Sequence, residues 1–180
     1  METLNTMTVL APAALNALQS EQVKWREHGE QVSAWYVRIT AQPDAYFGND
    51  PLLLQWFTAY QSEDLRPYHL NHDIAKPFSQ HHDENGKAHY GQDHSLKSSV
   101  LYSMLFGEDR FSQMIANDMA FHTARADTIE SVWQLPDAQH LYATAWAELY
   151  ANATMFGGLN SDSFKIKKKR LIWALKHQPA

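Results

Sequence analysis

The chain of 180 residues carries ten histidines and no cysteine, so any transition-metal chemistry in it falls to imidazole and carboxylate groups. The densest arrangement is His72-Asp73-Ile74-Ala75-Lys76-Pro77. An imidazole and a carboxylate on consecutive residues can share one divalent cation, and a lysine three residues on adds a compact positive charge beside it. A cation held this way can generate hydroxide near neutral pH and offset charge on the oxygens of a phosphate ester. Asp83, Asn85, Gly86, Gly91, His94 and Ser98 follow. His94 and Ser98 lie one turn apart on one face at the start of a predicted helix, where the dipole favours anions, so both are candidate contacts for phosphate.

Other histidines compete for attention. His69 stands three residues before His72, a spacing that can also chelate, and is an alternate ligand. His89 could substitute for His94, although a loop histidine is ordinarily solvated; His81 and His82 read as solvated. Among late carboxylates, Glu148 falls on an apolar helix where an inward carboxylate is costly unless paired or bound to metal.

The elements that must position these groups are predominantly helical. Helical periodicity predicts a helix over 13–39 that carries His28, a loop over 40–50 and a helix from Pro51 through Tyr60. A short helix carrying Tyr68, Leu70 and Ile74 is expected to end at Lys76, before Pro77. The polar stretch 78–91 predicts an exposed loop, and helices resume over about 93–106, 110–124 and 137–155. The only strand alternation is Phe164-Lys165-Ile166-Lys167. The expectation is therefore an all-α, single-domain helical bundle over 1–180.

Six Trp, eight Tyr and eight Phe can build its core without disulfides. The missing cysteine removes thiolate nucleophiles, zinc fingers and disulfide frameworks, and fits a reducing compartment. With no basic leader and no run of about 18 apolar residues, the expected location is cytoplasmic, with no membrane partner. The net charge of −5 argues against a protein that coats nucleic acid. A basic segment over 161–177 nevertheless holds Lys165, Lys167, Lys168, Lys169 and Arg170 and could contact phosphates of a nucleotide or RNA; a solvated helix or strand face is the competing reading.

The run from His72 to Ser99 resembles the HD-domain phosphohydrolase superfamily. The resemblance is nearest to the HD domain of tRNA nucleotidyltransferases, where a pattern like HDxGKP is followed by a loop and GHxxxSA. It extends over about 25–122. It implies an all-α bundle of the HD type in which an early His, the His-Asp pair and a later carboxylate hold a divalent metal such as Mn, Mg, Ni, Co, Fe or Zn. Glu27-His28 with Val32 looks like the family's first metal helix, which makes His28 the early ligand. His72, Asp73 and His94 would join it, Asp73 also orienting the attacking water, with Lys76, His94 and Ser98 meeting the phosphate. Asp118 is the implied late carboxylate, with Glu148 and Asp127 as competitors. Asn117 stands where related domains carry His, which places a second metal in question. The implied activity is hydrolysis of a phosphomonoester or phosphodiester of a nucleotide or an RNA end. The alternative is an inactive scaffold of the same kind that binds a nucleotide or a partner protein.

Overall fold

The computed structural model describes residues 25–85, 88–90 and 93–179, with backbone alone over 80–82 and 88–90. The part of the predicted helix before Trp25, the amino-terminal segment, and Gly86 and Gly91 lie outside the described residues. Among those described, the chain is helical apart from one short hairpin. It forms two compact units, one from 25–30 and Pro67–Asn117, the other from Gln31–Arg66 and Asp118 onward. No described helix is long and apolar enough to cross a membrane.

The first unit begins in helix α1 (Trp25–Ala41), whose first residues belong here and whose remainder belongs to the second unit. Helix α4 (Arg66–Asn71) leads into the His72-Asp73 turn, a 3-10 turn (Lys76–Ser79) and a hairpin of β1 (Gln80–His82) and β2 (Ala88–Tyr90). Helices α5 (His94–Phe106) and α6 (Arg110–Ala116) follow and pack on each other, α5 also packing on the 3-10 turn. Trp25, Ile74, Ala75 and Leu101 form its buried apolar cluster. Asp109 caps α6 reciprocally: its carboxylate accepts the Ser112 N–H at 3.0 Å while the Ser112 hydroxyl accepts the Asp109 N–H at 3.2 Å.

The second unit holds α2 (Pro43–Phe47), α3 (Pro51–Ala59), α7 (Ala120–Thr123), α8 (Ile129–Trp133), α9 (Ala138–Met155) and α10 (Asp162–Lys176). Helix α9 is buried along most of its length and receives α7, α8 and α10. Asp50 caps α3 by accepting the Leu53 N–H at 3.2 Å, with Pro51 preset for the first turn. The Tyr142 hydroxyl donates to the Leu171 carbonyl at 2.8 Å and the Trp133 indole N–H to the Ala174 carbonyl at 2.9 Å, which ties α9 and α8 to α10.

Five sequence expectations are corrected. The loop over 40–50 contains α2, because Phe47 is buried and stacks on Phe57 at 4.4 Å, and that packing outweighs the turn formers around it. The helix expected to reach Lys76 ends at Asn71: the Ala75 N–H goes to the Ser98 hydroxyl and the Ile74 N–H to the Asn71 carbonyl, leaving tight turns in place of helix. The polar stretch 78–91 holds an antiparallel pair with His81 opposite His89, joined through a turn in which Asp83 accepts the Asn85 N–H at 2.9 Å. The alternation Phe164 to Lys167 is helix, not strand. Ser161 caps it by accepting the Phe164 N–H, and Phe164, Leu171 and Leu175 are buried at helical spacing while Ile166 is 63% exposed. The predicted helix over 110–124 is two, since the Asn117 side chain donates to the Gln113 carbonyl at 3.0 Å and closes α6.

Candidate metal centre

The first unit brings four sequence-predicted residues around one carboxylate. Asp73 Oδ2 faces His72 Nε2 at 3.4 Å, His28 Nε2 at 3.8 Å and Lys76 Nζ at 2.8 Å, and its other oxygen, Oδ1, faces His94 Nε2 at 3.6 Å. His28, His72 and Asp73 each offer a ligand atom, all within 4.8 Å of one another, and all three are buried. Two donors about 2.1 Å from one ion are separated by roughly 3.0 to 3.4 Å at octahedral or tetrahedral angles, so this spacing is close to what a shared cation requires. The donor set of two imidazoles and a carboxylate suits Mn, Fe, Co, Ni or Zn, and less readily Mg.

Local structure explains how the set is held. Ile74 and Ala75 are anchored in the apolar cluster with Trp25 and Leu101, so the two residues before them are delivered at the end of α4 from a fixed base. The Ala75 N–H donates to Ser98 Oγ at 3.1 Å, and Ser98 is fully buried. Ser98, expected to contact phosphate, here accepts a backbone N–H that sets the turn.

His72 Nδ1 lies 2.8 Å from the His69 carbonyl. A carbonyl only accepts, so Nδ1 carries the hydrogen and Nε2 presents its lone pair toward Asp73, the tautomer that a metal ligand needs. His69 thus serves through its backbone, and the three-donor group contains His28 in its place. The rings of His28 and His72 are 5.3 Å apart between centroids.

One residue that sequence reasoning passed over makes this approach possible. A Cβ on Gly29 would lie 2.6 Å from the His69 carbonyl oxygen and 2.9 Å from the Leu70 Cα. Only glycine lets α1 pass α4 closely enough to set His28 beside His72. The signal was a glycine inside a helix, where it costs about 1 kcal/mol relative to alanine and so calls for a packing reason.

Electrostatics at the centre favour an ionised carboxylate. Burial alone would push the Asp73 carboxyl up, but Lys76, His72, His28 and His94 together outweigh it and hold the group well below the usual carboxylate range.

The remaining candidates are distributed as follows. Asp118 is buried in the turn between α6 and α7 and belongs to the second unit, and Asp127 is exposed there. Glu148 is also buried in that unit, where its Oε2 lies 2.7 Å from His122 Nε2. The partner that a buried Glu148 requires therefore includes His122, which the sequence offered no reason to pair with it. In the basic segment, Arg170 donates to the His122 carbonyl, Lys165 lies 3.9 Å from Asp162, and Lys167 and Lys169 are exposed on α10. The side chains of His81, His82 and His89 lie outside the described set.

Comparison of the chain with protein-family models, with curated proteins and with solved structures returns no match.

Proposed function

We propose that the protein is a divalent-metal-dependent phosphohydrolase of the HD type, acting on a phosphomonoester or phosphodiester of a nucleotide or an RNA end. The observation that carries this reading is the convergence of His28 and His72 on the buried carboxylate of Asp73 beside Lys76. A divalent ion held by His28, His72 and Asp73 would supply a hydroxide nucleophile near neutral pH and positive charge for the phosphate oxygens. The chain's own groups do the rest. Nδ1–H of His72, tied to the His69 carbonyl, keeps Nε2 basic; Asp73, kept ionised by its neighbours, would bind the ion as a carboxylate and orient the attacking water. Lys76, whose side chain is 20% exposed, stands between the buried carboxylate and solvent, where an arriving phosphate would meet its ammonium group. His94, on the other carboxylate oxygen, lies at the first turn of α5, whose dipole favours the same anion.

The test is hydrolysis of a nucleoside monophosphate and a 2',3'-cyclic nucleotide with added Mn, Ni or Mg. The wild-type protein should release product, and the His72→Ala, Asp73→Ala double variant should not while keeping its helical circular dichroism. Full activity in that variant removes the proposal.

Asn117 favours a second reading, a scaffold that binds a nucleotide or partner without turnover. Its side chain is committed to the Gln113 carbonyl at the end of α6 and stands where the resemblance calls for another imidazole. Metal analysis separates the two: no ion after purification and no thermal shift with Mn or Ni supports the scaffold.

A further inference from the structure

Trp25, Arg26, Leu70, Asn71 and Phe106 line a recess of about 210 Å³ in the first unit. We infer that this recess receives the heterocyclic base of a nucleotide, an assignment that rests on the phosphohydrolase reading for the phosphate end of the same ligand.

Its position is tied to the metal-ligating residues by the chain itself. Trp25 and Arg26 precede His28 on α1 within one helical turn, about 4.5 Å of axial rise. Leu70 and Asn71 close α4 directly before His72 and Asp73. The recess is thus lined by the chain segments that run directly into the ligating residues on both helices, and the proposed nucleotide would span from one to the other.

The lining has the chemistry of a base site. Trp25 and Leu70 give an apolar floor, Trp25 being only 3% exposed, and Phe106 gives a ring that is 60% exposed at the carboxyl end of α5. Phe106 is held in place by Tyr102, 5.0 Å away between ring centroids, whose hydroxyl in turn donates to Asp109 at 3.2 Å. An aromatic wall fixed in this way can stack on a flat ring without a large ordering cost. The exposed Arg26 adds a planar guanidinium able to stack on a base or to donate to its edge. One amide N–H of Asn71 is taken by the Pro67 carbonyl at 2.7 Å, which orients the amide; its carbonyl oxygen and other N–H can pair with a base edge.

Size sharpens the assignment. Sites for drug-sized ligands run to roughly 300–1,000 Å³, so a recess of about 210 Å³ suits one ring system, not a whole nucleotide. The phosphate then falls outside it, toward the charged groups.

The experiment uses the full chain in EDTA, with adenosine, uridine and ribose as probes, read by saturation-transfer NMR and calorimetry, so that neither metal nor turnover enters. Both nucleosides should bind and ribose should not, and Phe106→Ala and Arg26→Ala, at exposed positions, should each weaken nucleoside binding about tenfold. In the metal-loaded protein the same variants should lower the kcat/KM ratio of nucleoside monophosphate over ribose 5-phosphate by a similar factor. Absence of nucleoside binding, equal binding of ribose, or nucleoside affinity unchanged in both variants overturns the inference. Nucleoside binding without hydrolysis of any phosphate ester leaves the base site standing and removes the phosphohydrolase reading. Hydrolysis without nucleoside binding does the reverse.

Discussion

Lys76 Nζ lies 2.8 Å from Asp73 Oδ2, the same oxygen that faces His72 and His28 across 3.4 and 3.8 Å. The ammonium group and a divalent cation therefore call on one carboxylate oxygen. In the metal-free protein the lysine supplies part of the positive charge that a buried carboxylate needs, and on loading that charge becomes surplus at Oδ2.

Replacing Lys76 by Gln should lower the stability of the EDTA-treated protein by about 1–2 kcal/mol, less than for a fully enclosed pair because the lysine is partly solvated. Saturating Mn should then raise the melting temperature of the variant by more than it raises that of the wild type, since binding to the folded state alone adds stability in proportion to affinity. An equal or smaller shift would mean that lysine and metal do not compete. Phosphate-ester turnover should fall as well, through loss of the ammonium that meets the substrate.

The metal-free protein should also lose stability in acid through Asp73. Its folded carboxyl lies below the ordinary value of 3.8, with Lys76, His72, His28 and His94 as the charges responsible. The group stabilises the fold at pH values above that ordinary value, and the contribution drains away as pH falls below it toward the folded pKa. Asn at position 73 cannot titrate. Urea unfolding of wild type and Asp73→Asn in EDTA should give free energies that differ most near pH 6 and converge as the pH falls from about 5 to about 2. Parallel curves over that range would dismiss the assignment.

Much of this centre was legible because its donors sit in short, punctuated runs. His72, Asp73 and Lys76 fall within five residues, and Glu27-His28 carries its own spacing, so residue type and local pattern sufficed. The long helices were legible too, α1 from its amphipathic period and α5 and α9 from their length and apolar content between turn formers, neither of which needs knowledge of the partner surface. Some misreadings involve tertiary partners distant in sequence, and others local contacts that a short window underweights. Ser98 reads as a polar residue one turn from His94, and only the fold shows its hydroxyl taking the Ala75 N–H. Phe164 to Lys167 alternates over too few residues to outrank the stripe of Phe164, Leu171 and Leu175. Glu148 was recognised as a buried carboxylate in need of a partner, yet nothing local identifies His122, 26 positions away, as that partner.

The choice between His28 and His69 can be decided by substitution. His28→Ala should cost on the order of 100-fold in Mn or Ni affinity, because it removes a donor from the three-residue set. His69→Asn leaves the backbone carbonyl that orients His72 and should leave metal affinity nearly unchanged, although burial of His69 makes some loss of stability unavoidable. Calorimetric titration of both variants reads the difference, and the opposite ranking would give the early-ligand role to His69.

Gly29→Ala separates a packing requirement from a helix preference. On an exposed helix face the change would add about 1 kcal/mol of stability through propensity alone. Here the new methyl would meet the His69 carbonyl oxygen at 2.6 Å and the Leu70 Cα at 2.9 Å, both backbone atoms that cannot swing aside. Overpacking of this kind costs about 1–3 kcal/mol and outweighs the propensity gain, so the expected net change is destabilising by up to about 2 kcal/mol. The displaced carbonyl is also the acceptor that holds Nδ1 of His72, so widening the gap between α1 and α4 should loosen that imidazole and draw His28 away from Asp73 in one step. Metal affinity should therefore fall together with stability, by tenfold or more on the scale usual for groups that orient a ligand. Urea unfolding and Mn titration of the purified variant measure the two effects separately, and a variant as stable and as metal-avid as the wild type would refute the close crossing of α1 and α4 as the device that builds the centre.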